Sequence, residues 1–232
     1  MTQFGQPRQH FAECGSTNDL AREWALEGAP SGALVTADFQ TRGRGQRGQQ
    51  WQAQAGQSAL MSFVYRLPPS ADAGQLGLVT ALAAADALVL LGFSPQLKWP
   101  NDLLLDGRKV GGILVEAAAG TAVLGIGINV GQTQFEGASE FVYPPTSLRM
   151  AAGQEPPVWA VVDAVAHSLS DWEERWRQEG FAAVLEGGRA ILAVGASVRQ
   201  GEAVAVLTSL SERGAAQVRL ADGTFAAWTT VN

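Results

Sequence analysis

A chain of 232 residues, 47% apolar and 16% charged, has the material for one large domain or a large and a small one, and wholesale disorder is excluded. Its formal net charge of −6 speaks against a general binder of nucleic acid or anionic membrane, which needs a broad basic face. The single cysteine, Cys14, excludes an internal disulfide and fits a reducing compartment, and Met1 to Phe11 lacks the apolar run of a signal peptide, so the expected location is the cytoplasm.

His10 to Cys14 reads as a short strand. Gly15-Ser16-Thr17-Asn18 follows, then helix formers up to Glu27, with Gly28 as the stop. Ser16 or Thr17 is the expected N-cap, and Leu20, Trp24 and Glu27 the expected inward face. Ala33 to Phe39 is a second strand. It opens onto Gln40 to Trp51, QTRGRGQRGQQW, which sets Arg42, Arg44 and Arg47 among Gly43, Gly45 and Gly48. Glycine lets backbone N–H groups approach a ligand, and arginine offers a planar fork for carboxylate or phosphate oxygens. No acid lies between Asp38 and Asp72 to cancel these cations. The stretch reads as an anion-binding loop with a nucleotide phosphate as leading guest, against the alternative of a solvated Arg/Gly linker.

Ser58 to Leu67 is strand-like and ends at Pro68-Pro69. Asp72 to Leu91 is a long Ala/Leu-rich helix, interrupted by Thr80 and Asp86 and so expected in a core, not a membrane. Asp106-Gly107 between two apolar runs predicts a hairpin, flanked by Lys98 and Lys109. Each lysine suits a carboxylate or phosphate oxygen, and each alone also reads as a solvated charge. Asn101-Asp102 fits a base or ribose contact and a metal ligand, or simple turn chemistry. Glu116 sits in the apolar strand Val110 to Ala118. It needs a partner or metal there unless it faces solvent. Asn129 ends the next strand, Thr121 to Val130, whose Gly125 and Gly127 predict a close approach. Gly131 to Pro157 reads as one long loop, Val158 to Gln178 as an amphipathic helix, and Phe181 to Leu185 as a short one.

Near Gly187-Gly188 the pattern changes to short alternating strands separated by turns, a small all-β unit. The expected class is α+β: a mixed sheet with helices over residues 1–187, then a small barrel over 188–232. No Cys/His metal cluster, Walker A motif or G-x-S-x-G elbow occurs in the sequence. Trp24, Trp159, Trp172, Trp176 and Trp228 are expected in the core or an interface.

Ser16-Thr17-Asn18, GRGQRGQQW from Gly43, KWPNDLLLDGRKVGGILVE from Lys98 and GIGINV from Gly125, in this order, resemble the biotin–protein ligases. The resemblance is strong from Ser16 to Asn129 and weaker over the C-terminal part, which is similar to the family's SH3-like barrel. It implies a catalytic domain related to lipoate ligases and class II tRNA synthetases. It also implies a reaction: biotin's carboxylate attacks the α-phosphate of ATP, with Mg²⁺, and the biotinyl-adenylate passes its acyl group to a lysine of a biotin carboxyl carrier domain.

By the same resemblance, Ser16, Thr17, Gln40, Gly43 and Gly112 hold the biotin ring, and Arg44 covers the carboxylate and phosphates. Lys109 is the foremost catalytic residue, Trp51 packs on adenine, and Gln46, Asn101 and Asn129 lie near the nucleotide. Asp102 and Glu116 are the candidate metal or support positions. Two departures stand out. Gln46 replaces a usual arginine, with Arg42 as a compensating charge, and Leu60 stands where an aromatic residue occurs in relatives. Only fifteen residues precede Ser16, so no DNA-binding repressor function is expected. A homodimer is compatible with the resemblance. The competing readings are a lipoate or other acyl-adenylate-forming ligase, and a nucleic-acid module built on the Arg/Gly loop.

Overall fold

The computed structural model describes residues 2–69, 71–135 and 143–229 and, at Arg47, the backbone alone, so the expected role of the Arg47 side chain and part of the expected Gly131 to Pro157 loop lie outside the described residues. The described chain folds around a seven-stranded mixed sheet of order β1-β2-β3-β7-β6-β5-β4. Its strands are β1 (Arg8–Cys14), β2 (Leu34–Gln40), β3 (Ser58–Arg66), β4 (Gln96–Lys98), β5 (Asp102–Leu105), β6 (Arg108–Ala118) and β7 (Thr121–Asn129). Only β1 and β2 pair in parallel; the other neighbours are antiparallel.

Strand β3 is buried from Ser58 to Tyr65, which explains why its sequence does not alternate: both faces are covered. On one face lies α1 (Thr17–Leu26), packed through Ala21 and Ala25 on Val35, Val64 and Val123. On the other lie α2 (Leu76–Leu90) and α4 (Val158–Glu179), whose Leu82, Leu88, Val165 and Leu169 meet Met61, Phe63 and Leu124. The span Ala73–Leu90 has a mean hydropathy of 1.6, high enough for a membrane helix, and it is instead the central core helix. Its first turn, Ala73–Gln75, is a 3₁₀ turn capped by the Asp72 carboxylate, which accepts from Gly74 N at 2.8 Å.

The inward face of α1 differs from the expected one. Ala21 and Ala25 are buried, whereas Glu27 is exposed and Leu20 and Trp24 only flank the cluster. Small side chains let this helix lie close to β3 and β7, so bulk was the wrong guide. Trp172 and Trp176 are buried, each indole N–H donating to a side chain of α2 or its preceding turn, Asp86 at 2.6 Å and Gln75 at 2.7 Å. Trp159, expected in the core or an interface, is outside the core, 66% exposed in the first turn of α4. The long loop contains a helix, α3 (Leu148–Ala152), capped by Ser147.

Helix α5 (Phe181–Ala190) runs straight through Gly187-Gly188, where the sequence suggested a break. These glycines are packing positions: a Cβ on Gly187 would collide with the Trp172 ring, and one on Gly188 would press on Leu78 at 3.1 Å. The C-terminal strands β8 (Ser197–Gln200), β9 (Ala203–Leu210), β10 (Ala216–Arg219) and β11 (Phe225–Trp228) form a four-stranded antiparallel sheet with its own core around Leu207 and Val218.

Candidate active site

One open cavity of about 260 Å³ lies at the sheet, beneath the Arg/Gly loop and beside the hairpin. Its floor is a pair of facing glycines, Gly112 on β6 and Gly127 on β7. The ring of Trp51 rests on them: a Cβ on Gly127 would come within 2.6 Å of the indole, and one on Gly112 within 3.1 Å. The Trp51 indole N–H is buried there without a partner. Leu60, across β3 from Gly127, lines the adjoining wall.

The hairpin supplies fixed charge. Asp106 (φ 49°) and Gly107 (φ 72°) make the two-residue turn that the sequence predicts, both central residues taking positive φ. Leu103 pairs with Gly111 and Leu104 with Lys109, so Val110 is an extra residue in β6. At this bulge the backbone of Lys109 finds its partners in the long loop. Its N–H donates to Pro144 O at 3.0 Å and its carbonyl accepts from Thr146 N at 2.8 Å. Lys109 Nζ lies 2.5 Å from one oxygen of Asp102, and Lys98 Nζ lies 2.9 Å from the other. Burial alone would raise the Asp102 carboxyl; the charges of Lys109 and Lys98 outweigh it and leave it below the usual carboxylate range.

The loop supplies a second cation by a different route. Arg44 donates to Asp19 Oδ2 at 2.7 Å and to Glu116 Oε2 at 3.3 Å, which ties the loop to α1 and β6. The hydrogen bond from Arg44 is the main reason the Asp19 carboxyl sits below its ordinary value. Glu116 also accepts from Asn18 Nδ2 at 2.8 Å. Asn18 crosses over Gly125, where any Cβ would collide with its amide. A polar chain continues to the opposite end of the cavity. Ser62 Oγ lies 2.6 Å from Asn18 Oδ1 and 2.7 Å from Thr17 Oγ1, and Gln40 Oε1 accepts from Thr17 N at 2.7 Å. Gln40 thus satisfies the first N–H of α1, and the expected N-cap, Ser16, makes no capping hydrogen bond with its side chain.

The cavity therefore gathers Ser16, Thr17, Gln40, Arg44, Gln46, Trp51, Asn101, Asp102, Lys109 and Gly112 from the expected set. Three expected residues stand elsewhere. Gly43 is buried behind Trp51, whose carbonyl a Cβ at Gly43 would approach to 2.7 Å. Asn129, expected near the nucleotide, is buried away from the cavity, where its amide donates to Thr146 O at 2.9 Å. Glu116 lies behind the lining, under Arg44. Asn101 does line the cavity, yet its amide donates to Ile113 O at 2.9 Å and braces β6. Arg42 lies over Gly15 and outside the lining, so it adds no charge where Gln46 lacks one.

Of the two roles expected for Asp102 and Glu116, metal or support, the described contacts are those of support. Both oxygens of Asp102 are engaged by lysines, and Glu116 is engaged by Arg44 and Asn18. Among the described residues no three His, Cys, Asp or Glu side chains converge as a metal site. The cationic partner of Glu116, Arg44, is distant in sequence, whereas those of Asp102 are its near neighbours Lys98 and Lys109. Lys98, which the sequence offered as a candidate for a carboxylate or phosphate oxygen, does line the cavity; sequence reasoning gave no separate role to Asn18 or Asp19, and it missed Trp99, Val198 and Arg199, which bring the C-terminal sheet to the cavity rim.

Comparison with known proteins now decides the lineage. Residues 11–132 match the model of the biotin/lipoate A/B protein ligase family. The chain belongs to this family. Over 183 residues it is 35% identical to the biotin–[acetyl-CoA-carboxylase] ligase of Paracoccus denitrificans, covering 75% of this chain and 76% of that one. Over 180 residues it is 36% identical to the bifunctional ligase/repressor BirA of Bacillus subtilis, covering 75% of this chain and 54% of the relative. The chain thus spans about half the length of the Bacillus relatives, 54% and 51%. Among solved structures it is similar to the biotin protein ligase from Aquifex aeolicus in complex with biotin and ATP. The TM-score is 0.84 at 27% identity, over 97% of this chain and 96% of that one. The match covers both sheets, so the fold of this family member is the mixed catalytic sheet with helices and a small C-terminal sheet.

Proposed function

We propose that this chain is an ATP-dependent biotin–protein ligase. In the first step an oxygen of biotin's carboxylate bonds to the α-phosphorus of ATP, and pyrophosphate leaves. In the second the amine of a lysine on a biotin carboxyl carrier domain bonds to the acyl carbon, and AMP leaves with the bonding pair. The observation that carries this is the convergence of Lys109, Lys98 and Arg44 on one cavity, whose glycine floor seats the Trp51 ring. Two anions that repel each other must meet in the first step. Fixed cations offset that repulsion without reorganising.

In this reading Lys109 lies closest to the reaction, stabilising charge shared between carboxylate and α-phosphate, with Lys98 beside it. Asp102 holds both ammonium groups in place. Ser16, Thr17 and Gln40 take the polar ring of biotin, and Arg44 leaves Asp19 and Glu116 to cover the phosphates. Trp51 and Gln46 take the nucleotide side. The substrates named for the Aquifex and Paracoccus relatives support this assignment. Magnesium belongs to the nucleotide substrate in this reading; Asp102 and Glu116 are engaged by cations and are not assigned to it. The acceptor is a carrier domain, and the expected setting is the cytoplasm. We also propose that the catalytic unit ends with α5, with the C-terminal unit beginning in the turn before β8.

The test is pyrophosphate release from ATP with biotin and no carrier. A biotin-dependent burst of about one per enzyme is expected, because the adenylate stays bound. Equal release without biotin, or release dependent on lipoate alone, would refute the assignment.

A further inference from the structure

The tryptophan beside Lys98 touches the rim of the cavity and is packed into the C-terminal sheet. Trp99 follows Lys98 directly, yet its side chain is only 5% exposed and belongs to the core of the C-terminal sheet, with Val198, Leu207 and Val218. Its indole N–H donates to the carbonyl of Gly214 at 3.0 Å, in the turn between β9 and β10. The linker from α5 to β8 holds the same segment from its other side. Leu97 N donates to Ile191 O at 2.7 Å, and Ala193 N donates to Leu97 O at 2.8 Å. Strand β4, otherwise the open edge of the large sheet, is thereby paired with the linker at Leu192.

Lys98 and Asp102 are therefore bracketed by contacts to the C-terminal unit. Lys98 lies between Leu97, which the linker holds, and Trp99, which the C-terminal core holds. Asp102 is the cross-strand partner of Lys98, and Lys109 closes onto Asp102. The biotin-side residues Ser16, Thr17 and Gln40 stand on α1 and β2, at the far side of the sheet order. We infer that Trp99 is a positioning residue that makes the C-terminal sheet the scaffold of the Lys98–Asp102–Lys109 cluster, so that loosening that sheet weakens adenylation while leaving biotin binding intact. The rate consequence rests on the ligase activity proposed above; the mechanical coupling does not.

Two variants separate these parts. Trp99→Phe keeps an aromatic ring and removes the donor to Gly214. Val218→Ala hollows the C-terminal core at a residue that does not line the cavity. Amide exchange followed by mass spectrometry is read over Gln96 to Lys109 and over Leu34 to Gln40. Biotin affinity, melting temperature and the biotin-dependent pyrophosphate rate are measured alongside. Both variants are expected to speed exchange in the first segment by about tenfold while leaving the second unchanged. The rate is expected to fall by about tenfold with biotin affinity held within about twofold, and the double variant to lose less than the product of the two. Unchanged exchange at 96–109, or equal loosening of both segments, overturns the inference, as does multiplicative loss in the double variant. If Trp99→Phe does not fold, Val218→Ala alone decides by the same comparison of segments. If the wild type releases no biotin-dependent pyrophosphate, the ligase assignment fails while the exchange comparison still judges the coupling.

Discussion

The hairpin and the Arg/Gly loop bring cations to the same cavity and hold them in opposite ways. The hairpin lysines share one buried carboxylate of their own motif, inside paired strands. The loop arginine has no acid of its own, and it borrows Asp19 from α1 and Glu116 from β6. Among the described residues the loop's own backbone bonds are Gly45 N to Gln49 O at 2.7 Å, Gln49 N to Gln46 O at 3.1 Å and Trp51 N to Gly43 O at 3.0 Å, and Gln54 N, just beyond it, donates to Gln132 Oε1 at 2.9 Å. Charge in the hairpin is set before any ligand arrives. Charge in the loop must exchange partners, so it suits a group that closes over a bound anion.

The sharpest test of this contrast is Lys109→Ala. With the proposed adenylation, removing a preorganised cation at the reacting atoms is expected to cut the rate by about 10²–10³-fold. The biotin dissociation constant should change much less, because Ser16, Thr17 and Gln40 are untouched. A rate near wild type in a single-turnover assay would remove Lys109 from the chemistry and leave the hairpin a structural feature.

Next in size is Asp102→Asn. It leaves two lysines, with side chains 15% and 32% exposed, facing each other without their counter-charge. Loss of one member of a buried charge cluster is expected to cost about 3 kcal/mol, which chemical denaturation of the variant against wild type would read. The carboxyl titrates below its unfolded value, so its contribution is complete above roughly pH 4 and is lost as pH falls through the lowered value. Wild-type melting temperature should therefore drop on acidification below that point more steeply than that of Asp102→Asn. Parallel pH curves would show that the carboxylate does not hold the lysines.

What the sequence made legible follows the same division. The hairpin could be read because Asp106-Gly107 sets a turn by local backbone preference, and the lysines flank it by spacing alone. The Arg/Gly loop reads as an anion site because no acid is near it in sequence, and the acids that pair with Arg44 arrive only through the fold. Asn129, Asp102 and Glu116 show the limit of such reading: a polar residue in an apolar run announces that a partner exists and does not say which. Thr146, Lys98 and Arg44 are the partners, and each comes from another element. Gly187-Gly188 misled differently. Glycine marks both chain breaks and close packing, and the Trp172 ring that needs the space lies on another helix.

A smaller effect on the floor beneath both regions probes whether they meet. Gly127→Ala places a methyl 2.6 Å from the Trp51 indole as it now stands, so the ring must move off the glycine floor. We expect weaker ATP binding by about tenfold, since overpacking a fitted contact costs about 1–3 kcal/mol, with the hairpin's amide exchange unchanged. If ATP affinity holds, Trp51 does not report on the nucleotide side of the cavity.

The smallest expected effect separates the loop from the hairpin by its sign. Asp19→Asn removes the shorter of the two ion pairs holding Arg44, a pair whose side chains are 25% and 36% exposed. Such a pair contributes under about 1 kcal/mol, so ATP affinity can rise by no more than about fivefold when Arg44 is released to it. We expect a rise of about two- to threefold, largest at low salt, where screening is weakest. Protonating Asp19 does the same, but only once pH falls through its lowered value, so the wild type gains nothing near neutrality. Asp102→Asn, by contrast, should lower ATP affinity, because its lysines lose their fixed arrangement. If both variants shift ATP affinity in the same direction, the loop and the hairpin hold their cations in the same way, and the contrast between borrowed and built-in charge fails.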